Sequence, residues 1–177
     1  MKYAQPADDG AMWAPILEKA WAKVKGNYAQ VDGGFVVNGL RLLTGAPTFT
    51  YTLSSFGLTA AETFSLLQAA DSVDYPMGAG TSAGSDSTFN DCGIAYGHAY
   101  SILGTFEMDT YDMVMLRNPW GVTYYSGTWN KDDSNWTDAL VAQVPFGIDP
   151  RTSNTDGIFV MAIADFIQTS SNCINDF

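Results

Sequence analysis

The stretch GIAYGHAYSILGTFEMDTYDMVMLRNPWG, Gly93 to Gly121, decides the fold. Two β-rich segments, GIAYGHAYSILGTFEM and YDMVMLRN, flank Asp109-Thr110, a pattern that predicts adjacent antiparallel strands. Gly157 to Ile163 predicts a third strand. Upstream, Trp13, Ile16, Leu17, Ala20, Trp21 and Val24 recur at helical spacing, so Met12 to Val24 predicts a core-facing amphipathic helix that stops near Gly26. Thr59 followed by Glu62 is a capping-box signature, and Phe64, Leu67 and Ala70 continue it into a helix from about Thr59 to Ala70. The run MGAGTSAGSDSTFNDCG, Met77 to Gly93, has no hydrophobic period and predicts a mobile surface loop leading into His98. Gly121 to Trp136 and Val144 to Asp156 carry Gly, Pro, Asn and Asp and predict loops. With no repeat and no linker, residues 1–177 are expected to form a single domain on an α+β plan, a small antiparallel sheet with a few helices at its edge.

Composition narrows the function. Eight Lys plus Arg against 19 Asp plus Glu give a formal charge of −11, which opposes nucleic acid and anionic membrane surfaces and favours a basic partner. No apolar run reaches the roughly 18 residues that span a bilayer, and MKYAQPADDG has no apolar signal core. A cytoplasmic location without membrane insertion is therefore expected. Two cysteines, Cys92 and Cys173, are too few for a disulfide scaffold, so reduced thiols are expected. Asn135-Trp136-Thr137 is formally a glycosylation sequon and is expected to be a polar loop beside a packed Trp.

His98, the only histidine, sits in GHAYS, and Asn118 follows in RNPWG. A thiol protease needs a thiolate, an imidazole that takes and returns the proton, and a third group that orients the ring. Here one ring nitrogen of His98 would face the nucleophile while the other donates to the Asn118 side-chain oxygen, a neutral acceptor. Pro119 would hold the segment rigid, Trp120 would lay its indole over the His–Asn bond, and Gly97 would permit close approach of a substrate backbone. Taken singly, a lone histidine on an apolar strand is ordinarily a satisfied structural residue, and Asn-Pro is a common turn.

In combination, GHAYS followed by LRNPWG resembles the calpain family of papain-like cysteine proteases. So do WAPILEKAWAKVKGNYAQVDGG, NGLRLLTGAP, SGTWNKDDSNW and DGIFVMAIADF, which together span nearly all of the chain. The resemblance is to the second subdomain of the protease core, which carries His and Asn, and it implies a twisted antiparallel sheet or half-barrel with flanking helices. It also implies a catalytic cysteine in a first subdomain, within Gly-x-Cys-Trp, and no cysteine here precedes Trp.

Cys92 lies six residues before His98, about 20 Å away if extended, and shows no activating helix or cation. Cys173 matches the family's closing segment and is expected to be a packed thiol. The nucleophile is therefore expected from a Cys-bearing half, in cis upstream or in trans, with peptide bound between the halves and the 83–97 loop bordering the cleft as a gate. The resemblance further implies calcium for the full-length protein. At the matching places, however, this chain has Tyr124, Lys131 and Ile158, with only Asp156 retained, so no metal or other cofactor is expected on this chain. Asp132 and Asp133 read as a solvated acidic loop. KYAQ reads as the end of a strand with missing partners, which would leave a large apolar face for the first subdomain or another partner. The expected function is the His/Asn half of an intracellular cysteine endopeptidase, incompetent alone. The alternative is a non-catalytic structural or scaffold component.

Overall fold

The computed structural model describes residues 4–152, 156–167 and 173–177. Its frame is an antiparallel sheet in the order β1-β2-β3-β4, formed by Met77–Gly80, Ala99–Met108, Tyr111–Arg117 and Ile158–Ala162. The helices among the described residues are α1 (Trp13–Lys25), α2 (Val36–Thr44), α3 (Leu53–Phe56), α4 (Ala60–Asp71), α5 (Asp138–Val141) and α6 (Ile163–Phe166). This is the expected α+β plan.

Both faces of the sheet are covered. Val114 and Leu116 of β3, with Phe159 and Met161 of β4, enter one apolar cluster with Phe64 and Leu67 of α4 and Phe166 of α6. Met113, Met115 and Val160, which point the other way, join Trp129, Trp136 and Val144 in a second cluster. Burial on both sides explains why MVML and FVMA read as unbroken apolar runs rather than as alternating ones. It also means that helices lie against a face and not only at the edge. In β2 the register slips between Ile102 and Gly104. Tyr100 and Ile102 face the first cluster, whereas Phe106 and Met108, at the same parity, face the second. One extra residue in a strand inverts the facing of all that follow, so the bulge at Leu103 lets β2 serve both cores. Asp71, the last residue of α4, holds the strand beyond it by accepting from the Thr105 amide at 2.7 Å and the Thr105 hydroxyl at 3.0 Å.

The capping box of α4 is as expected: Thr59 accepts from the Glu62 amide, and Glu62 accepts from the Thr59 amide. The loops at 121–136 and 144–152 stand where expected, and Trp136 is buried with its indole N–H donating to the Asn130 carbonyl. Residues 153–155 of the second loop and Met1 to Tyr3 lie outside the described residues.

The structure departs from or adds to the sequence reading at four points. First, α1 is not core-facing: Trp13 is 69% exposed and Ile16 and Val24 are exposed as well, while α1 packs on the 3-10 turn Tyr28–Val31. Phe35 and Phe49 are exposed too, at 77% and 79%. Second, α2 arises despite an interior Gly39 and is closed by Gly45 in the left-handed conformation. Third, the first four residues of the supposed loop are strand β1. Its glycines carry no strand propensity, yet a Cβ on Gly78 would lie 2.6 Å from Val36 and one on Gly80 would lie 2.5 Å from Asp176. The remainder is laced to its surroundings: Phe89 bridges Ala95, Thr88 accepts from the Tyr96 amide, and the Asn90 side chain accepts from the amides of Cys92 and Ile94.

Fourth, the thiols are not reduced. Cys92 and Cys173, both buried, form a disulfide with Cα atoms 5.8 Å apart across a sequence separation of 81. The bridge fastens the loop before His98 to the C-terminal segment, which in turn pairs with β1 through Gly80 and Asp176. Replacing both cysteines by serine is expected to lower the unfolding free energy by roughly 2–4 kcal/mol, because so long a covalent loop strongly restricts the unfolded chain. Urea unfolding of the double variant measures this, and an unchanged midpoint would contradict it.

Candidate active site

The β2–β3 pairing runs to Ser101 opposite Arg117, and the chain just beyond its open end carries His98 on one side and Asn118 on the other. Local chemistry fixes the second partner. Asn118-Pro119-Trp120-Gly121 is a turn in which the Gly121 amide donates to the Asn118 carbonyl at 3.0 Å. Asn at the first position, Pro at the second and Gly at the fourth are the residues such a turn favours. The Asn118 side-chain oxygen accepts from the Trp120 amide at 3.1 Å, closing an Asx turn within the first. The Asn118 amide donates to the Gly157 carbonyl at 2.9 Å, which ties the turn to the start of β4. Gly157 has φ +73°, and a Cβ there would lie 2.5 Å from the Asn118 carbonyl oxygen, so this position is closed to other side chains.

Against this turn, His98 Nε2 lies 2.9 Å from Asn118 Oδ1. The tautomer follows from the network. The Trp120 amide can only donate, so the Asn118 atom it meets is the oxygen, and the Nε2 that meets the same oxygen must carry a proton. The neutral ring therefore has its lone pair on Nδ1, which has no hydrogen-bond partner among the described residues. The Trp120 ring lies 4.2 Å from the imidazole at 39°, and Tyr100 meets the ring edge-on at 5.0 Å. Asn118 is only 2% exposed, so water competes little for its oxygen. What results is an imidazole whose orientation is fixed by Asn118 and whose Nδ1 has no hydrogen-bond partner among the described residues.

Gly97 meets a constraint within the chain itself: it has φ +55°, a Cβ would lie 2.4 Å from the Gly84 carbonyl oxygen, and its amide donates to the Ser82 carbonyl at 2.8 Å. Residues that the motifs did not single out also shape the site. Besides Gly157, the Thr81 hydroxyl accepts from the His98 amide at 2.9 Å, and the Tyr100 hydroxyl accepts from the Ala95 amide at 3.1 Å.

No thiolate faces His98, because both cysteines are consumed by the disulfide. Nor do Tyr124, Lys131 and Ile158, at places where the resemblance implies calcium ligands, fit that ion. With Asp132 they border a cavity of about 480 Å³. There the Lys131 ammonium holds both oxygens of Asp132 at 2.7 Å, Tyr124 offers only a phenol, and Ile158 offers no side-chain oxygen. A calcium ion takes six to eight oxygens, and a resident ammonium both repels it and occupies its carboxylate.

A family model described as calpain family cysteine protease matches residues 1–174. Among similar proteins, the calpain-type cysteine protease ADL1 of Oryza sativa subsp. japonica is 32% identical over 169 residues, covering 93% of this chain and 8% of that protein. The calpain-1 catalytic subunit of Sus scrofa is 31% identical over 183 residues, covering 94% of this chain and 23% of that protein. For the calpain-2 catalytic subunit of Gallus gallus the identity is 28% over 179 residues, again 94% of this chain and 24% of that protein. The chain thus spans a quarter or less of the length of these relatives.

Tyr100 and Tyr125 give a pH test of the surrounding core. Burial pushes both phenols above the ordinary range, and the neighbouring Asp165 carboxylate pushes Tyr125 further. Their contribution is whole below the unfolded pKa of about 10 and is lost as pH climbs from there, at up to ~1.4 kcal/mol per pH unit for each residue. Urea midpoints measured between about pH 8 and 11 are expected to fall, and the fall to flatten by about half in Tyr125→Phe. An identical slope in the variant would contradict the assignment.

Proposed function

This chain belongs to the calpain family of cysteine proteases, and on that premise we propose that it is the His/Asn half of an endopeptidase whose nucleophile lies outside these 177 residues. The observation that carries the reading is the Nε2–H of His98 held on Asn118 with Nδ1 left free. With a cysteine thiol brought to Nδ1, the imidazole takes its proton and the thiolate attacks the scissile carbonyl carbon. Protonated His98 then gives that proton to the leaving amine as the C–N bond breaks. Water, deprotonated by the same Nδ1, next attacks the acyl thioester and frees the thiol. Asn118 keeps the ring from turning through both proton transfers, and Trp120 keeps water from its hydrogen bond to His98.

The Cys-bearing half, in cis or in trans, is the partner this reading requires. The exposed apolar side chains of α1 and of Phe35 and Phe49 offer it a surface. No helix among the described residues is long and apolar enough to cross a membrane. The disulfide favours an oxidising compartment over the cytoplasm expected from composition, since cytosolic reductants keep thiols free. A second reading, a non-catalytic scaffold component, is favoured by one pair of facts: both thiols are locked, and the calcium loop holds a lysine.

The chain alone is expected neither to hydrolyse casein nor to react with an epoxide-type thiol inhibitor. Joined to a half bearing Gly-x-Cys-Trp, it should hydrolyse casein, with the rate falling ~10²–10⁴-fold in His98→Ala. Hydrolysis by the chain alone would overturn the split-site reading, and an inert joined unit would favour the scaffold.

A further inference from the structure

The ladder between β1 and β2 ends with Gly80 opposite Ala99. One step further stand Thr81 and His98, and there the pairing changes character. The Thr81 amide donates to the His98 carbonyl at 3.1 Å, as a strand neighbour would. The return bond does not go to the Thr81 carbonyl. Instead, the His98 amide donates to the Thr81 hydroxyl oxygen at 2.9 Å. The same hydroxyl directs its own proton to the Ala95 carbonyl at 2.8 Å, with the His98 carbonyl at 3.1 Å beside it. One residue therefore engages both backbone polar groups of His98 and, three residues earlier, the carbonyl at the entrance of the bend through Gly97.

This arrangement needs a hydroxyl. A backbone carbonyl in its place could accept from His98 but could not donate to Ala95, and an apolar side chain could do neither. The hydroxyl ends the sheet and fixes the backbone from which the imidazole projects. Gly97 at φ +55° is then held between two anchored neighbours.

We propose that Thr81 is a positioning residue for the base: it acts through the His98 backbone to hold Nε2 against Asn118 and leave Nδ1 open. The proposal rests on His98 being the base of a peptidase, and the test separates the two. Because His98 is the only histidine, the ¹⁵N-labelled chain, free of any histidine tag, gives a single imidazole pattern in long-range ¹H–¹⁵N spectra. At about pH 9, where an ordinary imidazole is neutral, the unsubstituted chain is expected to show the Nε2–H tautomer alone. In Thr81→Val, equal in shape but without the hydroxyl, the ring is expected to populate both tautomers and the His98 amide to exchange about tenfold or more faster. Thr81→Ser is expected to restore both readouts, which a purely shape-filling role would not predict.

A mixed tautomer in the unsubstituted chain overturns the base reading whatever Thr81 does. A pure Nε2–H tautomer that persists unchanged in Thr81→Val overturns the positioning role alone. If the valine variant does not fold, exchange of the His98 amide in the unsubstituted chain and in Thr81→Ser decides. Protection in both supports the role, and free exchange in the unsubstituted chain overturns it.

Discussion

Ten residues of β2 and seven of β3 pair across a bulge at Leu103, and both apolar clusters hang on that pairing. Without the extra residue, Phe106 and Met108 would turn toward α4 and α6, and the tryptophan-lined cluster would lose two of its largest contributors. With it, a short sheet is covered by helices on one side and by a long, mostly irregular segment on the other. That segment is held by aromatic contacts: Trp129 meets Trp136 at 4.9 Å and Tyr111 at 5.1 Å. A loop this long keeps its shape because its aromatic side chains are buried, not because its backbone is regular.

The same pairing makes the candidate site. A hairpin brings its two open ends together whatever their sequence, so His98 and Asn118 need only stand just outside matched ladder positions to meet. What is specific is how little freedom each retains. Asn118 is fixed by an Asx turn, a surrounding turn and a bond to Gly157, while His98 is fixed through its backbone. A short hydrogen bond between two side chains is easily lost in water, where both partners have other choices. Here the backbone removes those choices before the side chains meet.

Much of this was legible in the sequence where chemistry is local. The capping box of α4 needs only Thr59 and Glu62 in register, so it was read directly, and Pro119 was read as stiffening the segment after Asn118. The α+β plan followed from the apolar runs of β2, β3 and β4. What escaped were features that depend on distant neighbours. Strand β1 is half glycine because α2 and the C-terminal segment press against it, and propensity cannot register a neighbour. Cys92 and Cys173 become partners only once the fold sets them side by side. The periodicity of α1 was read correctly, but an apolar stripe says nothing about whether its cover is present. Thr81 left no signal at all, since it acts on the backbone of His98 and not on its ring.

The bridge between Cys92 and Cys173 also changes what kind of object the site is. Both His98 and Asn118 lie inside the covalent ring it closes, together with β2, β3 and β4, while α1 to α4 and β1 lie outside. A single backbone cut in the exposed segment around 151–152 would linearise this macrocycle without releasing either piece. His98 and Asn118 would stay on one tethered assembly, and the nick would escape notice on a gel run without reductant. In a milieu rich in proteases, such a ring lets the exposed loop be lost or remodelled while the strands that hold the imidazole remain joined.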